Sequence, residues 1–294
     1  MRPVLLPVAA LLLCASPVAA APDWSAVDAA FGRAGAEQPG GVHRYSFPRS
    51  DLTVTLDGVV LKPALALGSW AAFHDMGDRT EVMGDLVLRQ EEVNPVLSRL
   101  LASGLTITAL HNHLLRSTPA TIYMHIHGEG DPARLAAVVR SALALTGTPL
   151  GPQPPAAAGP PLAFDTAAID AAMGAKGKVA GGVYQFSLPR AEQITEAGMP
   201  VPPSMGLATA VNFQASGAGR AAITGDFVLI ESEVAPVLKA LRDSGIDVTA
   251  LHNHLGQEQP RLFFMHFWAN ADAVSLARGI RHALDRTNLA RATH

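Results

Sequence analysis

The chain has 294 residues, 49% hydrophobic and 16% charged, which is enough for two domains with proper cores and too apolar for a disordered chain. A formal charge of −3 with only four Lys removes the basic footprint of a nucleic-acid binder, so no nucleic acid is expected as a partner. The single Cys, Cys14, excludes disulfide and iron–sulfur frameworks and leaves His and carboxylates to hold any metal.

Residues 1–20 read as a signal peptide. Arg2 gives the positive start, Val4 to Leu13 the apolar stretch, and Val18-Ala19-Ala20 a small-residue cleavage site before a mature chain starting near Ala21. The stretch falls short of the roughly 20 apolar residues a bilayer span requires. Leu13, just before Cys14, spoils a lipid-attachment site. The expectation is an exported protein, periplasmic or extracellular, that does not span the membrane.

The remainder is an internal duplicate. Gly40-Gly41-Val42 to Pro48-Arg49 recurs as Gly181-Gly182-Val183 to Pro189-Arg190, and 19 of the 33 positions from 83 to 115 are identical to those from 224 to 256. The domains expected are a first repeat over 21–148, a Pro/Gly/Ala linker over 149–162 and a second repeat over 163–294.

Each repeat carries the same order of elements, clearest in the second. Strands are expected over 183–188, 210–214 and 222–230 from their β-branched and aromatic content. A helix follows, capped by Ser232, with Pro236 in its first turn and Gly245 as its stop. Two further strands, 246–255 and 261–270, are joined by a hairpin-length loop, and a helix over 271–285 closes the unit. The fold class is α+β: tandem β-α-β-β-α units, of split βαβ or ferredoxin-like kind, each with additional N-terminal strands. The copies either fold separately or share one sheet across a pseudo-two-fold.

The chemistry concentrates in Leu110-His111-Asn112-His113 and its twin Leu251-His252-Asn253-His254. On a strand, residues two apart share a face, so His252 and His254 are expected beside Ile246, Val248 and Ala250, with His266 within cross-strand reach. His111, His113 and His125 form the matching set, and His127 adds an imidazole where the second repeat has Trp268. These six histidines, three per repeat, are the expected metal ligands. Glu92 and Glu233, in the first turn of their helices, are expected at the same sheet edge and are the candidate catalytic carboxylates; Asp85 and Asp226 are second choices. Imidazole and carboxylate without thiolate suit a divalent metal, zinc first, with Mn, Fe, Ni or Cu as alternatives. His43, His74, His282 and His294 recur in only one repeat and are expected on the surface. Phosphate-loop, dinucleotide and serine-elbow motifs are absent from the sequence.

Through Gly225-Asp226-Phe227-Val228-Leu229, residues 248–255 and residues 261–268, the chain resembles the LppY/LpqO family of bacterial exported proteins and lipoproteins. That resemblance implies export and a tandem architecture, and no reaction. Three functions fit: an exported metal-binding protein acting as a metal-dependent hydrolase, a non-catalytic module binding a metal or a small-molecule or cell-envelope ligand, or a structural envelope protein. Oligomeric state is not readable from the sequence.

Overall fold

The computed structural model describes residues 23–152 and 161–290. The expected signal peptide with Cys14, most of the linker and His294 lie outside the described residues. No described helix is long and apolar enough to cross a membrane.

In the first repeat, helix α1 (Ser25–Phe31) precedes strands β1 (Ala36–Gln38), β2 (Val42–Pro48), β3 (Gly68–Asp75) and β4 (Thr80–Arg89). Helix α2 (Gln90–Ala102), strands β5 (Thr106–His111) and β6 (Thr121–Gly130) and helix α3 (Pro132–Leu143) complete it. The second repeat has the same order: α4 (Thr166–Met173), β7 (Lys178–Ala180), β8 (Val183–Pro189), β9 (Ala208–Gly217), β10 (Arg220–Ile230), α5 (Glu231–Asp243), β11 (Asp247–His252), β12 (Leu262–Asp272) and α6 (Ala273–Leu284). Helices α1 and α4, formed from Ala-rich segments, were not expected from the sequence.

Each repeat builds its own six-stranded sheet, β1-β2-β3-β4-β6-β5 and β7-β8-β9-β10-β12-β11, so no sheet is shared. β6 lies between β4 and β5 and is antiparallel to both, which leaves β4 and β5 parallel to each other on either side of it. β4 is buried along all but its last residue, as a strand covered on both faces must be. One face, with Val82, Leu86 and Leu88, meets α1, α2 and α3 in the core of the repeat. The other carries Met83 and Val87 into clusters shared with residues of the second repeat such as Val183, Met205, Val228 and Phe264. The molecule is therefore four layers, helix, sheet, sheet, helix, with the two sheets face to face.

Two short turns clasp the repeats reciprocally. Pro63–Ala66 of the first repeat covers the second sheet, where Gln185 and Asn212 donate to the Ala64 and Leu65 carbonyls at 2.9 and 3.3 Å. Pro203–Met205 of the second repeat, with Gly206 against the Trp70 ring, covers the first sheet.

The helix after β10 starts earlier than expected. Glu233 accepts from the Ile230 N–H at 3.0 Å, so α5 begins at Glu231, Ser232 is not its cap, and Pro236 falls inside the helix beyond the first turn.

Candidate metal centre

A β-bulge aims the histidines. Val248 pairs with Phe267 on the helix-covered face, whereas Ala250 pairs with His266 on the opposite one, so Thr249 is an extra residue in the strand. Thr108 does the same between Ile107/Ile126 and Ala109/His125. An unbroken pleat would have put His252 on the face of Ile246 and Val248, as the sequence periodicity predicts. One inserted residue turns it to the sheet–sheet interface.

Because both repeats carry the bulge, their histidines meet. Ring centroids are 3.5 Å apart for His111 and His252, 3.8 Å for His113 and His266, and 3.7 Å for His125 and His254. The triad expected in the second repeat, His252/His254/His266, does come together, and it meets the histidines of the first repeat in one six-histidine cluster between repeats. Aromatic walls keep the pseudo-symmetry: His113 stacks on Tyr123 and His254 on Phe264, each at 3.5 Å.

The carboxylates that join are Asp85 and Asp226, cross-strand partners of His125 and His266. Asp85 oxygens lie 3.7 Å from His113 Nε2 and 3.9 Å from His125 Nε2. Asp226 oxygens lie 3.9 Å from both His254 Nε2 and His266 Nε2. These spacings are too long for hydrogen bonds. They suit donors facing a common ion, since two atoms each about 2.1 Å from one metal sit roughly 3–4 Å apart.

Glu92 and Glu233 are not brought to the cluster. Glu92 takes Arg49 at 2.7 and 3.1 Å, the Arg89 N–H at 2.8 Å and the Gly147 N–H at 3.0 Å. Glu233 takes Arg190 at 2.5 and 3.0 Å and the Asn288 N–H at 3.0 Å. The helix start does occupy the expected edge of the sheet, but α2 and α5 pack on its outer face while the bulge has sent the imidazoles to the inner one. Both glutamates are structural, each closing a buried ion pair and a helix N-terminus.

The tautomers are fixed by backbone carbonyls. A carbonyl oxygen only accepts, so His266 Nδ1–H donates to Gly225 O at 3.0 Å and His252 Nδ1–H to Asn253 O at 3.1 Å. In the neutral rings both Nε2 atoms then carry lone pairs, yet they lie 2.9 Å apart. Two bare nitrogens at that distance repel unless a cation lies between them, and an Nδ1–H held by a carbonyl is the usual support of a metal-binding imidazole. Further buried donors lack partners: both nitrogens of His111, Nε2 of His113, His125 and His254, and Oδ1 of Asp85 and of Asp226. Four overlapping triads have donor atoms within 4.8 Å of one another: His111/His113/His266, His111/His125/His252, His252/His254/His266 and Asp85/His113/His125.

Burial sets the electrostatics. It pulls His111 down to about 3, helped by the neighbouring His252, and His252 down to about 4. His113, His125, His254 and His266 are held well below the ordinary imidazole range by burial and then by one another. Asp85 is pushed up to about 8 by burial, which the charge of Arg44 offsets only in part. Asp226 is raised well above the carboxylate range by burial and then by Asp85. The imidazoles are therefore neutral, which is the form that binds a metal.

His127 is not a further ligand; its Nε2 lies 3.1 Å from Glu81, which raises its pKa. His43, expected on the surface, is half-buried and stacked on Trp24 at 5.4 Å. Asn253, facing away from the cluster, ties the loop by donating to Leu262 O at 2.6 Å. Met124 and Met265 belong to the two helix–sheet cores, as expected. Sequence reasoning missed the junction of the two sets, and also Arg44, treated below.

A family model described as a domain of unknown function (DUF1259) matches twice, over residues 25–145 and 167–286. No curated protein matches the chain. Among solved structures the chain is similar to a trimeric bacterial microcompartment shell protein, PduB, with 17% identity over 85% of this chain and 90% of that one and a TM-score of 0.19. EtuB from Clostridium kluyveri is 10% identical over the same shares, with a TM-score of 0.20. The double-ringed trimeric shell protein MSM0271 of the RMM microcompartment is 12% identical over 70% of this chain and 82% of that one, with a TM-score of 0.18. Two are described as shell proteins and none as an exported or metal-binding protein. The expectation of signal-bearing, periplasmic or secreted metal-binding relatives finds no counterpart in these descriptions, and the tandem duplication is what the two segments of the family match support. Likenesses this distant carry no argument about assembly or compartment.

Proposed function

We propose, for a chain that belongs to the DUF1259 family through both of its repeats, that it is a metal-binding protein with one divalent-metal centre built between those repeats. The observation that carries this reading is the 2.9 Å approach of His252 Nε2 and His266 Nε2, two nitrogens whose protons are committed elsewhere to carbonyls. The partnerless nitrogens and carboxylate oxygens around them support it. Six imidazoles and two carboxylates favour zinc first and accept Mn, Fe, Ni or Cu. The likeness to LppY/LpqO proteins adds no substrate. We read the β4-α2-β5-β6-α3 unit and its twin as split βαβ modules of ferredoxin-like kind.

His111, His113 and His252 are only half-buried, so the rim of the cluster reaches solvent although the His111 nitrogens and His113 Nε2 are themselves covered. A metal with an accessible position polarises a bound ligand and activates water, which is the enzymatic form of the reading, a metal-dependent hydrolase. In that form the proton acceptors are Asp85 and Asp226, since Glu92 and Glu233 are committed to arginines.

Elemental analysis of the purified protein tests the centre. The wild type is expected to carry a divalent metal, and a His252→Ala/His254→Ala variant to lose it although the first-repeat histidines remain. His282→Ala, distant from the cluster on α6, should change nothing. A double variant with undiminished metal, or a wild type that takes up none of the five metals, overturns the reading.

A further inference from the structure

The eight donors recur in both repeats, but the inner face beside them does not. Arg44 on β2 stands where the second repeat has Gln185, Trp70 on β3 where it has Ala210, and Met83 on β4 where it has Thr224. In the second repeat this region is closed: Gln185 and Asn212 are both spent on the backbone of the covering Pro63–Ala66 turn. In the first repeat the Pro203–Met205 turn covers the sheet with Gly206 against the Trp70 ring, but Arg44, the counterpart of Gln185, is not spent on it. The Arg44 guanidinium lies 3.9 Å over the Trp70 ring and, among the described residues, makes no hydrogen bond or ion pair. Trp70 is the direct cross-strand partner of Asp85, so this cation lies on the same face as the metal donors and feels the Asp85 charge without closing a bridge to it.

Charge counting gives the unpaired cation a meaning. Imidazoles coordinate a metal as neutral ligands, and the two carboxylates supply −2 at most. One divalent ion with Arg44 leaves the buried cluster at +1, and two ions leave it at +3. A net positive interior in low dielectric calls for an anion. Glu81 does not supply it, because it is taken by His127 at 3.1 Å. Burial lowers the Arg44 guanidinium to about 10, with Asp85 only partly restoring it, as for a cation still lacking its counter-charge.

We propose that the exchangeable ligand of this centre is a small oxyanion, a carboxylate or phosphate group, held between the ion bound by the His/Asp cluster and the Arg44 guanidinium stacked on Trp70. The planar guanidinium presents paired N–H donors that match such a group, and the Trp70 ring fixes its plane. Its twin position, Gln185, carries no charge, so there is one oxyanion site per chain, on the side of the first repeat. The inference rests on the metal reading above.

Calorimetric titration of the zinc-loaded full-length protein with inorganic phosphate, and separately with acetate, tests it, with metal content measured on the same samples. Saturable binding of one equivalent of either anion is expected; the tighter of the two identifies the group. Arg44→Gln, which installs the residue of the second repeat, should weaken that binding about ten- to a hundredfold with zinc content unchanged. Arg44→Lys, which keeps the charge and loses the fork, should fall between and serves if the Gln variant does not fold. Zinc-loaded wild type that binds neither anion, or Arg44 variants that bind as tightly as the wild type, overturn the proposal while leaving the metal centre standing. Failure to load zinc or any other metal instead overturns the metal reading.

Discussion

Asp85 and the histidines around it titrate in opposite directions, and that determines what pH does to the centre. An ordinary histidine site loses metal as pH falls through about 6.5. Here burial has already made the imidazoles neutral far below that, with His111 down to about 3 and His252 to about 4. The competing proton is on Asp85, whose carboxyl is pushed up to about 8. Metal affinity should therefore climb from pH 6 to pH 8 and then level off, with protons released on binding. Calorimetry in buffers of different ionisation enthalpy measures that release; affinity that is flat above pH 7 contradicts it. Stability of the metal-free protein follows from the same shifts. Below about 6.5 the unfolded histidines take up protons that the folded ones refuse, so stability falls with falling pH. Above about 4 the unfolded carboxyls of Asp85 and Asp226 ionise while the folded ones, Asp85 held up to about 8 and Asp226 raised well above the carboxylate range, resist, so stability also declines as pH rises. Without metal the stability optimum should lie near about 6.5, and adding zinc should move it upward.

Gly225 shows how tightly the neighbouring backbone is committed. A Cβ there would sit 1.9 Å from the Ala210 carbonyl oxygen, and the Gly225 carbonyl is the group that orients His266. Gly225→Ala should cost about 1–3 kcal/mol of stability and weaken metal binding, both visible in chemical denaturation with and without zinc. The same holds in kind for Gly84, where a Cβ would meet the Trp70 oxygen at 2.6 Å.

Among the elements, the strand β11 and the helix α5 divide the work that the sequence assigned to a single edge. The duplication, the order of elements from β2 and β8 onward, and the cross-strand reach of His266 to His252 were legible, because they depend on identity, composition and spacing. The face was not. Period-two alternation carries His252 onto the side of Ile246 and Val248, and only the register across to β12 reveals that Thr249 is inserted. Nothing in the Asp-Val-Thr-Ala-Leu-His segment marks it, since a bulge is set by what the partner strand offers. Glu233 was misjudged for the same reason: correct edge, opposite face. Its recurrence in both repeats has a different cause, the buried Arg190 guanidinium bonded also to the Val228 carbonyl at 2.8 Å. Glu233→Ala would leave that guanidinium short of its main counter-charge and should cost about 3 kcal/mol by denaturant titration while metal content stays at the wild-type level. Loss of metal in this variant at full folding would return the glutamate to the site.

For the whole molecule, the proposed centre would also act as a clasp. The two repeats bury mixed clusters against each other, Leu56, Leu65 and Tyr123 with Val183 and Trp268 on one side, and Val42 and Met83 with Met205 and Phe264 on the other. Between them every candidate triad but Asp85/His113/His125 and His252/His254/His266 draws on both repeats. A ligand that binds only when the sheets are face to face stabilises that arrangement by its full occupancy, and therefore both repeats at once. Metal held at a hundred times its dissociation constant contributes about 2.7 kcal/mol. For a cooperative unit of this size that is roughly 5–10 °C in melting temperature. The expected scan is a single transition that moves down as a whole on treatment with EDTA and returns with zinc. Two transitions, of which only one responds to the chelator, would mean that the ion sits within one repeat and that the histidines of the other serve packing alone.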